Sequence, residues 1–265
     1  MQVHRSGYYD YVKCLKKPVI DADNKLLIEI KALDKLSRSS YGSRQMSKNL
    51  KAKGYAVGRC RARTLMRKAN IECKQRRRYR VTTQSKHSLP VAANVLNREF
   101  TVEAPNRVWV ADITYLWTQE GWLYIAAVLD LYSRRIVGWA IERHMRKELI
   151  NDALHMALGR RRPGDGLMHH SDRGSQYASA DYQAALKSAG IIVSMSRSGN
   201  CWDNAVMERF FGSLKSERTD QITYSTREEA KSDIIDYIEM FYNSQRLHST
   251  LGYVTPLQFE QSYFS

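Results

Sequence analysis

Three carboxylates in this 265-residue chain stand where acids are costly or conspicuous: Asp112, Asp172 and Glu208. Asp112 falls in the apolar run Trp109-Val110-Ala111-Asp112-Ile113, where a charge is unfavourable unless something binds it. Asp172 follows a short apolar-led run ending at His170, and loops after strand ends are where α/β folds place chemistry. Glu208 lies in a segment that reads as an amphipathic helix. At about 100° per residue, Asn204, Glu208, Gly212 and Lys215 share one stripe, opposite Val206, Met207, Phe210 and Leu214. Such a set suits phosphoryl transfer. Two Mg²⁺ ions about 3.5–4 Å apart, held by hard oxygen ligands, activate an attacking oxygen and stabilise a leaving one. Lys215, two turns beyond Glu208, is a candidate contact to DNA near the scissile phosphate. Any one of these acids alone reads as a surface charge or helix cap, so the chemistry is argued from the three together.

These side chains need a strand, a loop and a helix to meet. Val108 to Leu116, Trp122 to Leu129 and Ile136 to Ile141 read as strands, with a turn at Ser133-Arg134. Lys147 to Leu158 reads as a helix, Leu167 to His170 as a strand, and Ala180 to Ala189 as a helix ended by Gly190. Ile191 to Met195 is a further strand, and Asn204 to Arg218 and Thr226 to Tyr242 are helices. A three-strand meander followed by alternating helix and strand predicts an α/β fold, a mixed sheet with helices on its faces. Ser196 to Asp203 reads as a flexible loop over the active face. Asp130 rivals Asp112 as the first acid, but its position before the turn suits a capping role. His170, Gln176 and Tyr177 flank Asp172 and suit either DNA contact or packing.

The net charge of +15 is unevenly spread. Residues 1–90 hold 23 Lys and Arg against 6 Asp and Glu, whereas the remainder holds 19 against 21. Concentrated positive charge favours a polyanion, because each neutralised phosphate releases counterions. Residues 1–20 form a basic, aromatic segment without a strong period. Residues 21–72 read as a small all-α module. Its first helix runs from Asp23 to Leu36, its second has Ser43 as N-cap and ends at Gly54, and its third begins near Gly58. Ala62, Leu65, Met66 and Ala69 stripe the third helix, and Arg59, Arg61, Arg63, Arg67 and Lys68 cover its other faces. That pattern fits a helix-turn-helix with one helix in the major groove, or a helical bundle with a solvated basic face. Residues 73–105 read as a basic linker whose Arg76, Arg77 and Arg78 track phosphates. The four scattered cysteines support neither a zinc site nor a disulfide framework. No apolar run spans a bilayer and no signal peptide is apparent, which predicts a cytoplasmic protein.

The segments Trp109-Val110-Ala111-Asp112-Ile113-Thr114-Tyr115, His170-Ser171-Asp172-Arg173-Gly174-Ser175-Gln176-Tyr177 and Asn204-Ala205-Val206-Met207-Glu208-Arg209-Phe210-Phe211 resemble the DDE transposases of the insertion-sequence-three family. More distantly, they are similar to retroviral integrases. Fifty-nine residues separate the two aspartates and 35 separate Asp172 from Glu208; the second gap, with a basic residue seven after the glutamate, is that family's signature. The likeness extends through Asp130-Leu131-Tyr132-Ser133-Arg134-Arg135, Ser196-Arg197-Ser198-Gly199-Asn200, Tyr242-Asn243-Ser244-Gln245-Arg246 and Leu251-Gly252-Tyr253-Val254-Thr255-Pro256, covering residues 40 to 260.

The resemblance implies an RNase H-like catalytic core over residues 106–265. It also implies a site of Asp112, Asp172 and Glu208 using Mg²⁺, with Mn²⁺ as substitute. The implied reaction is hydrolysis at an element end followed by transesterification of the freed 3′-OH into another strand. Family members commonly act as a frameshift fusion with an upstream-frame product that supplies a helix-turn-helix and a coiled coil. This chain shows no sustained heptad repeat and begins near where the downstream frame begins, so it resembles the downstream product. Self-association is implied because two element ends must meet, and the DNA substrate implies a nucleoid-associated enzyme. Against the transposase stand a non-enzymatic DNA-binding regulator and an RNase H-like nuclease of another substrate.

Overall fold

A computed structural model describes residues 4–16, 20–73, 89–198 and 200–265. It resolves into two units, Met1–Cys73 and Lys74–Ser265. In the first, helices α1 (Arg5–Lys16), α2 (Ile20–Leu36), α3 (Ser43–Ala52) and α4 (Arg59–Lys68) follow one another. Leu26, Ile30 and Leu33 of α2 are buried, as are Met46 and Leu50 of α3 and Ala62, Leu65 and Met66 of α4. The helical spacing anticipated these three helices. The end of α3 is set by Gly54, whose φ of +88° suits glycine alone. Gly54 N donates to Lys51 O and Tyr55 N to Leu50 O, the paired bonds of a Schellman cap.

Two details differ from the sequence reading. Gly42, not Ser43, occupies the N-cap of α3, and no side chain caps that helix. Residues 5–16 form α1 although they show no apolar stripe, and Tyr8, Tyr9 and Tyr11 remain exposed on it.

The second unit is built on a five-stranded sheet in the order β3-β2-β1-β4-β5. Its strands are β1 (Val108–Thr118), β2 (Gly121–Asp130), β3 (Ile136–Glu142), β4 (Met168–Ser171) and β5 (Ile192–Met195). The meander β1-β2-β3 is antiparallel, while β4 joins β1 and β5 joins β4 in parallel. Helices α5 (Lys147–Arg161) and α6 (Ala180–Ser188) cover one face, and α7 (Ala205–Glu217) and α8 (Arg227–Asp236) the other. The mixed sheet predicted from the alternation is therefore present.

Strand alternation decides which face each residue serves. Trp109 and Ala111 of β1 join Ala126 and Val128 of β2 against Leu149, Ala153 and Leu154 of α5. Val110 and Leu116 join Leu123, Ile125 and Leu129 against Met207, Phe210 and Leu214 of α7. Asp112 has the parity of Val110, so the pleat aims it toward the α7 face. Residues 89–105, assigned by composition to the linker, lie along this unit: Leu96 is buried in its core, and Val95 N and Leu96 N donate to Ser194 Oγ. No helix among the described residues is long and apolar enough to cross a membrane.

The closest approach between sheet and helix is at Gly138 of β3. A Cβ there would stand 2.2 Å from Ala153 O and 2.8 Å from the Ala157 Cβ. Neither the α5 backbone nor a buried alanine can yield, so Gly138→Ala should destabilise the second unit by about 1–3 kcal/mol, the usual overpacking cost. Urea melts of the two chains test this; equal midpoints would show that α5 moves aside without penalty.

Candidate active site

Strand β4 pairs only with Val108, Trp109 and Val110 of β1. Beyond that point the edge of β1 is open to side chains from other elements. The start of α7 fills part of the space, where Asn204 Nδ2 donates to Ala111 O at 3.2 Å, beside Asp112. Asp112 is half-buried, and its Oδ1 accepts from Ile113 N at 2.8 Å. Asp172 lies one residue past β4, where its Oδ1 accepts from Gly174 N at 2.8 Å. Glu208, in the first turn of α7, is exposed.

The structure brings these three charges into one field. Burial raises the Asp112 carboxyl well above the usual carboxylate range, and repulsion from Asp172 and then Glu208 adds to the rise. Glu208 is also raised, by partial desolvation from neighbouring atoms. Lys215 lies over the Tyr115 ring, its Nζ 5.3 Å from the centroid. Burial lowers its pKa, while Asp220 and Asp112 act to raise it. Among the described residues, no group of three or more His, Cys, Asp and Glu side chains is set to hold a metal ion. Repulsion among the carboxylates opposes their convergence until an opposite charge enters.

The other anticipated residues fall out differently. Asp130 is fully buried and accepts from Asn106 N at 2.6 Å, Tyr132 N at 3.0 Å and Ser133 N at 3.2 Å, the capping role inferred from its position. His170 is buried between Ser194 Oγ at 2.9 Å and Ser196 Oγ at 3.2 Å, and Tyr177 is buried too, so both pack rather than face solvent. Gln176 is half-buried, with Ser175 Oγ donating to its Oε1 at 3.4 Å. Arg59, Arg61, Arg63, Arg67 and Lys68 are all exposed on α4, but Arg61 and Lys68 both reach Asp23, at 3.0 and 3.3 Å. Arg76, Arg77 and Arg78 lie outside the described residues.

Sequence reasoning missed a buried acid just before α7. Asp203, in the 3₁₀ turn before α7, is buried and accepts from Arg197 Nε and Nη2, Arg197 N, Arg98 Nε and Asn94 Nδ2 at 2.7–2.9 Å. These partners hold its carboxyl far below the usual carboxylate range. The Ser196–Asp203 segment, read as a flexible loop, is thus anchored at both Arg197 and Asp203. An acid just before a helix was the available signal, but its arginine partners lie up to 105 residues away.

The geometry can be set beside known proteins. Two Integrase core domain families match residues 102–201 and 208–264, and an HTH-like domain family matches residues 21–79. The "Insertion element IS600 uncharacterized 31 kDa protein" of Shigella sonnei is 48% identical, over 98% of this chain and 96% of its own length. The "Transposase InsF for insertion sequence IS3A" of Escherichia coli K12 is 38% identical, over 98% and 91%. The chain belongs to the insertion-sequence-three family of DDE transposases. It is an enzyme, a polynucleotidyl transferase acting on DNA, and this decides against the non-enzymatic regulator. Its fold is shared with a simian T-cell lymphotropic virus intasome chain, at a TM-score of 0.50 and 15% identity over 83% of this chain and 70% of that one. The mixed sheet with its flanking helices is thus RNase H-like, preceded by a helix-turn-helix-like module.

Two measurements test the scaffold of this transposase. Asp203→Ala leaves Arg98 and Arg197 without their buried acceptor; both are half exposed, so the expected loss is about 1–3 kcal/mol. A melting temperature equal to that of the native chain would remove Asp203 from the scaffold. Burial also lowers His170 to about 4 and His169 to about 3, from an ordinary 6.5. Below pH 6.5 the unfolded chain binds protons that the folded chain refuses, so stability should fall as pH drops from 6.5 toward 4. Urea melts at pH 7 and 5 check the sign.

Proposed function

We propose that Asp112, Asp172 and Glu208 form the reaction centre of this transposase, cutting DNA at an element's 3′ end and joining the freed end to target DNA with two Mg²⁺ ions. The observation that supports this reading is the placing of Asp112 on β1 just beyond its pairing with β4, Asp172 one residue past β4 and Glu208 in the first turn of α7, with Asp112 and Asp172 oriented by backbone amides. Three hard carboxylate oxygen donors from separate elements fit magnesium, which keeps part of its water shell, and Mn²⁺ fits the same donors. When bound, the ions would supply Lewis-acid polarisation of the phosphodiester and a lowered pKa for attacking water.

The side chains divide the remaining work. Asp112 and Asp172 hold fixed positions, because Ile113 N and Gly174 N orient their carboxylates. Glu208 is carried by a helix that Asn204 ties to the backbone of β1. Lys215 supplies a cation for the phosphate next to the bond that breaks, and Gln176 a polar contact beside Asp172. In the first step water attacks phosphorus and the 3′-oxygen leaves as a hydroxyl. In the second that hydroxyl attacks a target phosphodiester and displaces another 3′-oxygen, so bond number is conserved and no ATP is used.

DNA recognition is assigned to the basic residues of the first unit. Arg59, Arg63 and Arg67 project from α4 for the phosphates flanking a major groove, with Arg61 and Lys68 exchanging Asp23 for phosphate. Arg76, Arg77 and Arg78 extend that charge. The organisation follows: residues 1–20 a basic segment, 21–72 the recognition module, 73–105 the connection and 106–265 the catalytic core. Pairing of two element ends calls for self-association and for the upstream-frame product or its fusion. The DNA substrate places the enzyme in the bacterial cytoplasm on the nucleoid.

Asp112→Asn, Asp172→Asn and Glu208→Gln should each cut strand transfer on labelled element-end DNA with Mg²⁺ by at least about a hundredfold, the worth of several kcal/mol. A second readout needs no turnover. Mg²⁺ should raise the melting temperature of the native chain and not of Asp172→Asn, and Asp172→Asn without metal should melt no lower than the native chain, having lost a repulsion. Retained strand transfer in any variant removes that residue from the centre.

A further inference from the structure

The end of the β1–β2 hairpin carries aromatic side chains that the sheet does not need for its core. Trp117 and Trp122 are cross-strand partners, 59% and 44% exposed, with ring centroids 4.9 Å apart. Tyr115 meets Trp122 edge-on at 5.2 Å and Tyr124 at 6.2 Å. All four share the parity of Ala111 and Ala126, so they continue the face that α5 and α6 cover farther along the strands. Cross-strand pairing stabilises a hairpin, but this one is already held. Gln119 N donates to Tyr224 O, Arg227 N to Glu120 and Arg227 Nε to Trp122 O. Two exposed indoles on an anchored hairpin are therefore free to serve a ligand.

Position and charge indicate which ligand. Tyr115 and Trp117 lie three and five residues beyond Asp112 on the same strand, about 10 and 17 Å of extended chain, and their odd offset turns them to the face opposite Asp112, across the open edge of β1. Lys215 sits over the Tyr115 ring at the open edge of β1, where it links the carboxylates to the aromatic row. At the far border, Tyr124 pairs with Glu142, the last residue of β3, and exposed Arg143 and Arg146 follow it. Cations at both ends of a row of rings match a strand with phosphates outside and bases within.

We propose that Tyr115, Trp117 and Trp122 form a stacking ledge for unpaired bases of the DNA strand end, within a few nucleotides of the bond that is cut. This rests on the assignment of Asp112, Asp172 and Glu208 as the reaction centre. The ledge reads no sequence, because every base offers a π-face; it holds the melted end in place for the carboxylates.

The test uses the full chain in metal-free buffer. The probes are an element-end duplex with a four-nucleotide unpaired tail, the same duplex with an abasic tail, and the blunt duplex. Tails are placed on each strand in turn. The native chain should bind the base-bearing tail about tenfold more tightly than the abasic tail on one strand, which identifies the strand that is held. Trp117→Ala with Trp122→Ala should erase that ratio and leave blunt-duplex affinity unchanged, while Trp117→Phe with Trp122→Phe keeps most of it. Trp117→Ala alone, with an intermediate ratio, serves if the double variant folds poorly. An equal affinity for both tails in the native chain, or an unchanged ratio in a folded alanine variant, overturns the ledge. So does an alanine variant whose only change is weaker self-association in sedimentation, since that gives the rings to a second copy. Because no metal or turnover enters, a failure of the reaction-centre assignment would appear only in the strand-transfer assay.

Discussion

Strand β4 is four residues long and pairs with only the first three residues of β1, which runs for eleven. Had the parallel pairing continued, the backbone edge from Ala111 onward would be covered and Asp112 would be sealed into a sheet packed on both faces. Because it stops, Asn204 can reach Ala111 O, α7 can start beside the strand, and the acid on the next residue lies half open. The same open edge admits Lys215 from α7 and leaves the hairpin end beyond it uncovered by α5 and α6. One short parallel ladder thus leaves the edge of β1 open beside Asp112.

Comparison of two carboxylates shows how the fold separates structure from chemistry. Asp130 and Asp112 end up in the same sheet and both are raised by burial. Around Asp130 three backbone amides and Arg161 oppose that rise, and Arg161 is itself held by Glu260. The charge is accounted for inside the protein. Around Asp112 one amide and a distant lysine oppose two like charges, so the field is left unbalanced. Unbalanced buried charge is costly in a resting protein and is tolerated where an external charge completes it.

The sheet, its order of elements and most helix boundaries were legible because each strand or helix buries a face, and burial imposes a period. The three acids were legible because they sit at a mid-strand position, a strand end and a polar helix stripe. What stayed hidden was fixed by partners distant in the chain. Asp203 reads as one more loop acid until Arg98 and Asn94 fold onto it. Residues 89–105 read as linker because their apolar residues follow neither a helical nor a strand period, yet Leu96 enters the core and Val95 N and Leu96 N donate to Ser194. Arg246 is half-buried against Glu217, 29 residues away, and the Tyr242 ring.

The division of charge between the two units now has a structural cause. The catalytic unit contains many arginines, but Arg98 and Arg197 are committed to Asp203, Arg161 to Glu260, Arg218 to Asp233 and Arg246 to Glu217. Each pair cancels within the fold, and residues 74–265 hold 25 basic against 21 acidic residues, so the unit carries only a small positive excess for its size. In the first unit, where residues 1–73 hold 17 basic against 6 acidic residues, Arg61 and Lys68 pair with Asp23 and Lys53 with Glu29. On the proposed assignment, attraction over a Debye length is supplied by the first unit and close-range chemistry by the second. A catalytic unit with strong positive charge of its own would partly neutralise the repulsion among Asp112, Asp172 and Glu208 that leaves their field open to a cation. The two roles are physically easier to hold in separate units than in one.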